Sequence, residues 1–338
     1  MKRILLLTVV WLATASTTAF AVADSPLVDT NWIKQNSCKP GIVVLDIRNQ
    51  LDGHSKIDYL RGHIPCAIYS DYMKDGWRAK VNNIPGMLPP IPQIEKLIGS
   101  LGIDDNSHVV IYSAGSNALD MGSATRVYWT FKVLGHDDVS ILNGGYAAYE
   151  ADKANKIETG MNQPKPKTFV AKFRKDMYPT EADVEKARKS GVLLVDNRPN
   201  DQYLGVNRTP AAVKRNGTIP GAKNLPESWL TDNNGGKFRS VAELEKLYKD
   251  AGVPLKGEEI NFCNTGHWAS LGWFVSSEML GKQTGQGLRW FDGRMERRSE
   301  GAHRAENQGG IAACALGPSS GRPGIVRCRP ACMGERRA

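Results

Sequence analysis

Cys263 is the residue whose surroundings most suggest chemistry. Glu258 to Phe262 reads as a strand that delivers Cys263 to the loop Asn264, Thr265, Gly266, His267 and Trp268, and a helical pattern begins just beyond. Loop N–H groups and first-turn N–H groups can then converge on one point. With the helix dipole they favour negative charge there. A thiolate held at that point is expected to have a lowered pKa and to act as a nucleophile, and the same cradle suits the delocalised anion of a persulfide. Gly266 lets the loop turn tightly. His267 can offer a hydrogen bond or a positive charge to an anionic substrate, and Trp268 can line a pocket. The same residues also fit an inert buried cysteine, a loop histidine and a packing tryptophan.

The elements that position this loop occur twice, at an offset of about 150 residues. Gly41 to Arg48, ending Asp46-Ile47-Arg48, echoes Gly191 to Arg198, ending Asp196-Asn197-Arg198. Gly62-His63-Ile64-Pro65-Cys66-Ala67 echoes Gly217-Thr218-Ile219-Pro220-Gly221-Ala222, and His108 to Ser113 echoes Glu258 to Cys263. Asp46 to Ser113 and Asp196 to Cys263 both span 67 positions. Short apolar runs of this kind are buried parallel strands. Amphipathic helices are expected at 91–101 and 241–251, with Gly102 and Gly252 as stops, and further helices at about 123–134 and 269–280. The fold class is therefore α/β: two copies of one domain, each a mainly parallel sheet flanked by helices, with ligands bound beyond the carboxyl ends of the strands. The expected divisions are 24–152, a linker at 153–178 and 179–296. Phe169-Val170-Ala171 could open the second copy.

Two tandem domains with these motifs resemble the rhodanese family of sulfurtransferases, from about Ser25 to Lys282. Leu142-Asn143-Gly144-Gly145-Tyr146 is similar to the signature that closes the family's first domain, and Cys263 to Trp268 matches its six-residue active loop. The resemblance implies a ping-pong reaction. Cys263 takes sulfane sulfur from a small anionic donor, thiosulfate or alternatively 3-mercaptopyruvate, holds it as a persulfide and passes it to cyanide or a thiol. It implies no metal and no organic cofactor. Asn264 to Trp268 form the substrate-binding loop, with Asp196 and Arg198 supporting it or simply paired with each other. The first copy has Ser113 where the second has Cys263, so it is expected to be structural. Two departures bear on the donor. The active loop has no Lys or Arg, and Gln202 stands where vertebrate-type members have an Arg, leaving Arg198 and Arg208 as possible substitutes. A Cys-based phosphatase needs an Arg six residues after the Cys, and that position is Ala269. A catalytically idle binding module of the same fold is the other alternative.

The chain has 338 residues, 41% of them hydrophobic and 23% charged, which fits about two globular domains and excludes wholesale disorder. Lys2 and Arg3 carry +2 and residues 294–338 carry +5 of the net +9, so no nucleic-acid partner is expected. Met1 to Ala23 reads as a signal peptide, cleaved near Ala23, which sends the chain to the periplasm or outside the cell as a monomer without a membrane anchor. Cys66 occupies the place of Gly221 and reads as a small buried residue. A disulfide with Cys38 is open to it in an oxidising compartment. Cys328 and Cys332 lack the further ligands a metal site needs. Residues 283–338 contain ten Gly and no Lys, although no earlier Lys-free gap exceeds 35 residues. Asp292 to Glu296 resembles the family's closing strand. The basic tail 297–338 fits either a natural disordered tail or the product of a reading-frame change near or after Gln283.

Overall fold

The computed structural model describes residues 25–209 and 215–282, and the backbone of 289–290. The signal pattern, the segment Asp292 to Glu296, the tail and Cys314, Cys328 and Cys332 lie outside the described residues. Strands β1 (Leu27–Val28), β2 (Ile42–Asp46), β3 (Ile68–Tyr69), β4 (Ala79–Val81), β5 (Ile84–Met87), β6 (His108–Tyr112) and β7 (Val139–Leu142) come from the first copy. Five of them form one parallel sheet in the order β1-β7-β6-β2-β3. β4 and β5 form a separate antiparallel ribbon. The second copy contributes β8 (Leu193–Asp196), β9 (Lys223–Asn224), β10 (Glu259–Cys263) and β11 (Arg289–Trp290), parallel in the order β11-β10-β8-β9.

The repeat extends to register. Asp46 lies opposite Tyr112, and Asp196 lies opposite Phe262. β6 and β10 are buried along their whole length, as strands covered on both faces must be. Helices Ile91–Ser100 and Val241–Asp250 end where the glycines are, each presenting a buried apolar stripe, Ile94 and Ile98 in one and Leu244 and Tyr248 in the other. The helix expected from 123 instead spans Ala118–Val133, because Asn117 caps it by accepting from Asp120 N at 2.9 Å. The last helix runs from His267 to Trp273 and continues as a π-helix from Phe274 to Met279.

Phe169 does not open the second copy. It packs edge-on against Phe131, with ring centroids 6.2 Å apart, and the neighbouring Lys172 N–H donates to Leu134 O. The segment expected as a linker therefore lies along the helices of the first sheet. Cys66 also differs from its expected burial. It is exposed, has the positive φ of 63° that Gly221 shares at 83°, and forms a disulfide with Cys38. Among the described residues no helix is long and apolar enough to cross a membrane.

Candidate functional site

Asp196 and Arg198 form a buried ion pair, Nη2 to Oδ2 at 2.6 Å. Thr218 Oγ1 donates to Asp196, and Arg198 Nη2 donates to Gly217 O. Asp46 and Arg48 repeat this at 2.6 Å, with Arg48 Nη2 donating to Gly62 O. A pair built identically in the copy without a cysteine is architectural. It ties the end of a central strand to the Gly-x-Ile-Pro turn, so Arg198 is not the substitute cation for a donor. Arg208 is exposed and donates to Asn216.

Cys263 ends β10 and is 1% exposed. The backbone N–H groups of Thr265, Gly266, Trp268 and Ala269 face its sulfur and lower its pKa, but burial raises it more, so the resting thiol lies above its ordinary value. The expected lowered pKa is corrected here: the cradle exists, and desolvation outweighs it while no charge is present. Gly266 makes the turn at φ 75°.

The matching loop of the first copy has a different occupant. Ala114 N and Ser116 N donate to Asp120 at 3.1 and 2.9 Å, and Gly115 N donates to the same carboxylate. One strand–loop–helix geometry thus gathers amides around sulfur in one copy and around a built-in carboxylate in the other. Burial and the adjoining Asp120 carboxylate push Asp52 up to about 8, and burial pushes Glu227, in the 3-10 turn that follows β9, up to about 7. Carboxyls raised in the folded state stabilise it fully below their unfolded range, and that contribution is lost as pH rises through 7 and 8. The thermal midpoint is therefore expected to fall between about pH 4 and 8 and to level off above, and Asp52→Asn to flatten that slope in calorimetry. An unchanged slope in the variant would remove Asp52 from this role.

His267 does not present a charge to substrate. It is buried, Tyr72 Oη donates to its Nδ1 at 2.9 Å, and its Nε2 donates to Leu119 O at 2.7 Å. Burial, with the nearby Arg78 and Arg126 cations, pushes it down to about 3, so it is neutral. Its role here is to lock the active loop onto the first copy. Gly122 is required beneath it, since a Cβ there would lie 2.7 Å from His267 Nε2. One turn on, Ser270 Oγ pairs with Thr125 Oγ1 at 2.8 Å. Asn264 Nδ2 donates to Gln202 Oε1 at 2.9 Å and to Thr209 Oγ1 at 3.0 Å, so Gln202 meets the loop through an amide rather than a charge. Trp268 is half-buried, and its buried Nε1 has no partner among the described residues.

The residues missed by motif reading come from the first copy. Arg126, fully buried in the helix Ala118–Val133, donates from Nη1 to Thr265 O at 3.3 Å and from Nη2 to Gly86 O at 3.0 Å. Burial lowers its pKa to about 10, and the thiolate form of Cys263 acts to raise it. Gly86, in β5, has φ 79°, and a Cβ there would lie 2.7 Å from Thr265 O. Gly86→Ala is expected to push on the active loop and lower kcat/KM about tenfold, beyond the roughly 1–2 kcal/mol that a left-handed alanine costs. Gly191→Ala, with φ 85° and open space around it, carries only the stability cost. Equal activities in the two folded variants would separate the ribbon from the site.

Residues 29–152 match the family model described as rhodanese-like domain. The chain is 30% identical to the thiosulfate sulfurtransferase of Bos taurus over 280 residues, covering 78% of this chain and 91% of that one. It is 31% identical to the thiosulfate sulfurtransferase of Cricetulus griseus over the same length, with the same shares. Its fold is similar to that of the 3-mercaptopyruvate sulfotransferase SseA of Escherichia coli, with a TM-score of 0.67 and 26% identity, covering 78% of this chain and 97% of that structure.

Proposed function

Because this chain belongs to the rhodanese family of sulfurtransferases, we propose that Cys263 is the atom that carries the sulfur and that a small anion such as thiosulfate donates it. The observation that supports this reading is the ring of four backbone N–H groups around the one unpaired cysteine among the described residues. The Cys263 thiolate attacks the outer sulfur of thiosulfate, the S–S bond of the donor breaks, and sulfite leaves with the bonding pair. Cyanide or a thiolate then attacks the outer sulfur of the persulfide, which releases thiocyanate or a new persulfide and restores the Cys263 thiolate. With 3-mercaptopyruvate the bond broken is C–S, and the departing carbon takes the thiol proton to give pyruvate.

The raised pKa of the resting thiol works against the first step, because less thiolate is present at neutral pH, and the loop amides offset part of that cost. Preorganised amides stabilise charge most where it develops in a water-excluded site. The persulfide spreads its charge over two sulfurs and gains from the same donors. Parallel double-reciprocal lines for thiosulfate and cyanide are expected in steady-state kinetics. Intersecting lines would contradict a covalent sulfur carrier. We also propose that the chain works outside the cytoplasm, a reading supported by the signal pattern and by the Cys38–Cys66 disulfide, since such bonds persist in oxidising compartments.

A further inference from the structure

The second copy supplies the nucleophile without a cation in its loop, yet two guanidinium groups stand beside that loop. Arg126 holds Thr265 O directly. Arg78, at the root of the β4–β5 ribbon, reaches the same place: a Cβ on Gly86 would lie 2.9 Å from both Arg78 Nη2 and Thr265 Cβ. Arg78 is only half-buried, with its guanidinium 5.5 Å from the centre of the Tyr72 ring. Tyr72 in turn holds His267. Arg78 and Arg126 each disfavour a proton on His267, so both charges are felt within the loop. Arg78 Nη1 donates to Met73 Sδ at 3.6 Å, but the buried Arg78 Nε and, in the loop, Trp268 Nε1 have no partner among the described residues. Buried donors are nearly always satisfied, so each of them can take an acceptor that arrives with the ligand.

We propose that Arg78 is the specificity-determining cation of the site: it receives the oxyanion end of the sulfur donor from the first copy, with Arg126 behind it holding the loop. This rests on Cys263 being the sulfur carrier. Guanidinium is suited to the task because its planar fork matches sulfonate and carboxylate oxygens in pairs. It also gives the first copy, which has no thiol, a part in the reaction, and leaves Gln202 free to be neutral.

Steady-state kinetics on the full chain test this with thiosulfate and with 3-mercaptopyruvate as donors, cyanide being the acceptor. Arg78→Gln is expected to raise the donor KM about tenfold or more while the cyanide KM stays within about twofold, and Arg78→Lys to recover part of the loss. A rise confined to one donor identifies whether sulfonate or carboxylate is the group received. Unchanged KM values for both donors, or an equal rise for cyanide, would overturn the proposal. Sulfite titration of Cys263→Ser and of Cys263→Ser/Arg78→Gln, followed by tryptophan fluorescence, gives a readout without turnover, with about tenfold weaker binding expected in the double variant. Equal sulfite affinities would also overturn it. If the wild-type chain takes sulfur from neither donor, the sulfur-carrier reading fails first, and this proposal falls with it.

Discussion

Cys263→Ser is expected to lower thiocyanate formation from thiosulfate by about three orders of magnitude or more, since covalent catalysis has no detour around its nucleophile. The variant should fold normally. Oxygen is smaller than sulfur, and the four amides that face the sulfur can face a hydroxyl at the end of the strand. Substantial residual activity in a folded Cys263→Ser protein would move the chemistry elsewhere. Ser113, its counterpart in the first copy, cannot take over. The amides of Ala114, Gly115 and Ser116 are already committed to the Asp120 carboxylate.

Asp196→Ala is expected to have the largest effect on stability, roughly 3–5 kcal/mol, because it leaves the buried Arg198 guanidinium without its counter-charge. That is a large part of the 5–15 kcal/mol that typically holds a protein folded. Arg198 would keep its bond to Gly217 O, and Thr218 Oγ1 would lose an acceptor. Asp46→Ala should cost a similar amount, since Arg48 and Tyr112 Oη both donate to that carboxylate. Urea melts of the two variants check this. The pairing of the two results matters, because Asp46 lies in the copy without a thiol. If Asp196→Ala melted like the wild type and lost only activity, Asp196 would belong to the chemistry instead of the frame.

The repeat was readable because it is written in strand ends and turns. Asp-x-Arg, Gly-x-Ile-Pro and the strand before residue 113 or 263 are local patterns, and each fixes a local geometry that the structure reproduces in both sheets. The geometry of the loop after Cys263 was readable for the same reason, since strand, Gly turn and helix start are contiguous. The partners of that loop were not. His267 is held by Tyr72 and Leu119, and Thr265 by Arg126, across separations of 195, 148 and 139 residues. A lone His beside a cysteine suggests a charged helper on its own, and only the fold shows both of its nitrogens engaged. The ribbon carrying Gly86 was also hidden, because Ile84-Pro85-Gly86-Met87 has the composition of a loop. The direction of the thiol's pKa is not legible in the sequence for a physical reason: the loop amides can be counted along the chain, and the depth at which the sulfur is buried cannot.

The most direct test is mass spectrometry of the Cys263 peptide after the purified chain is mixed with thiosulfate in the absence of acceptor. A gain of one sulfur atom on that peptide, lost again when cyanide is added, is the predicted result. A Cys263 peptide unchanged in mass, while thiocyanate nonetheless accumulates once cyanide is present, would contradict the account.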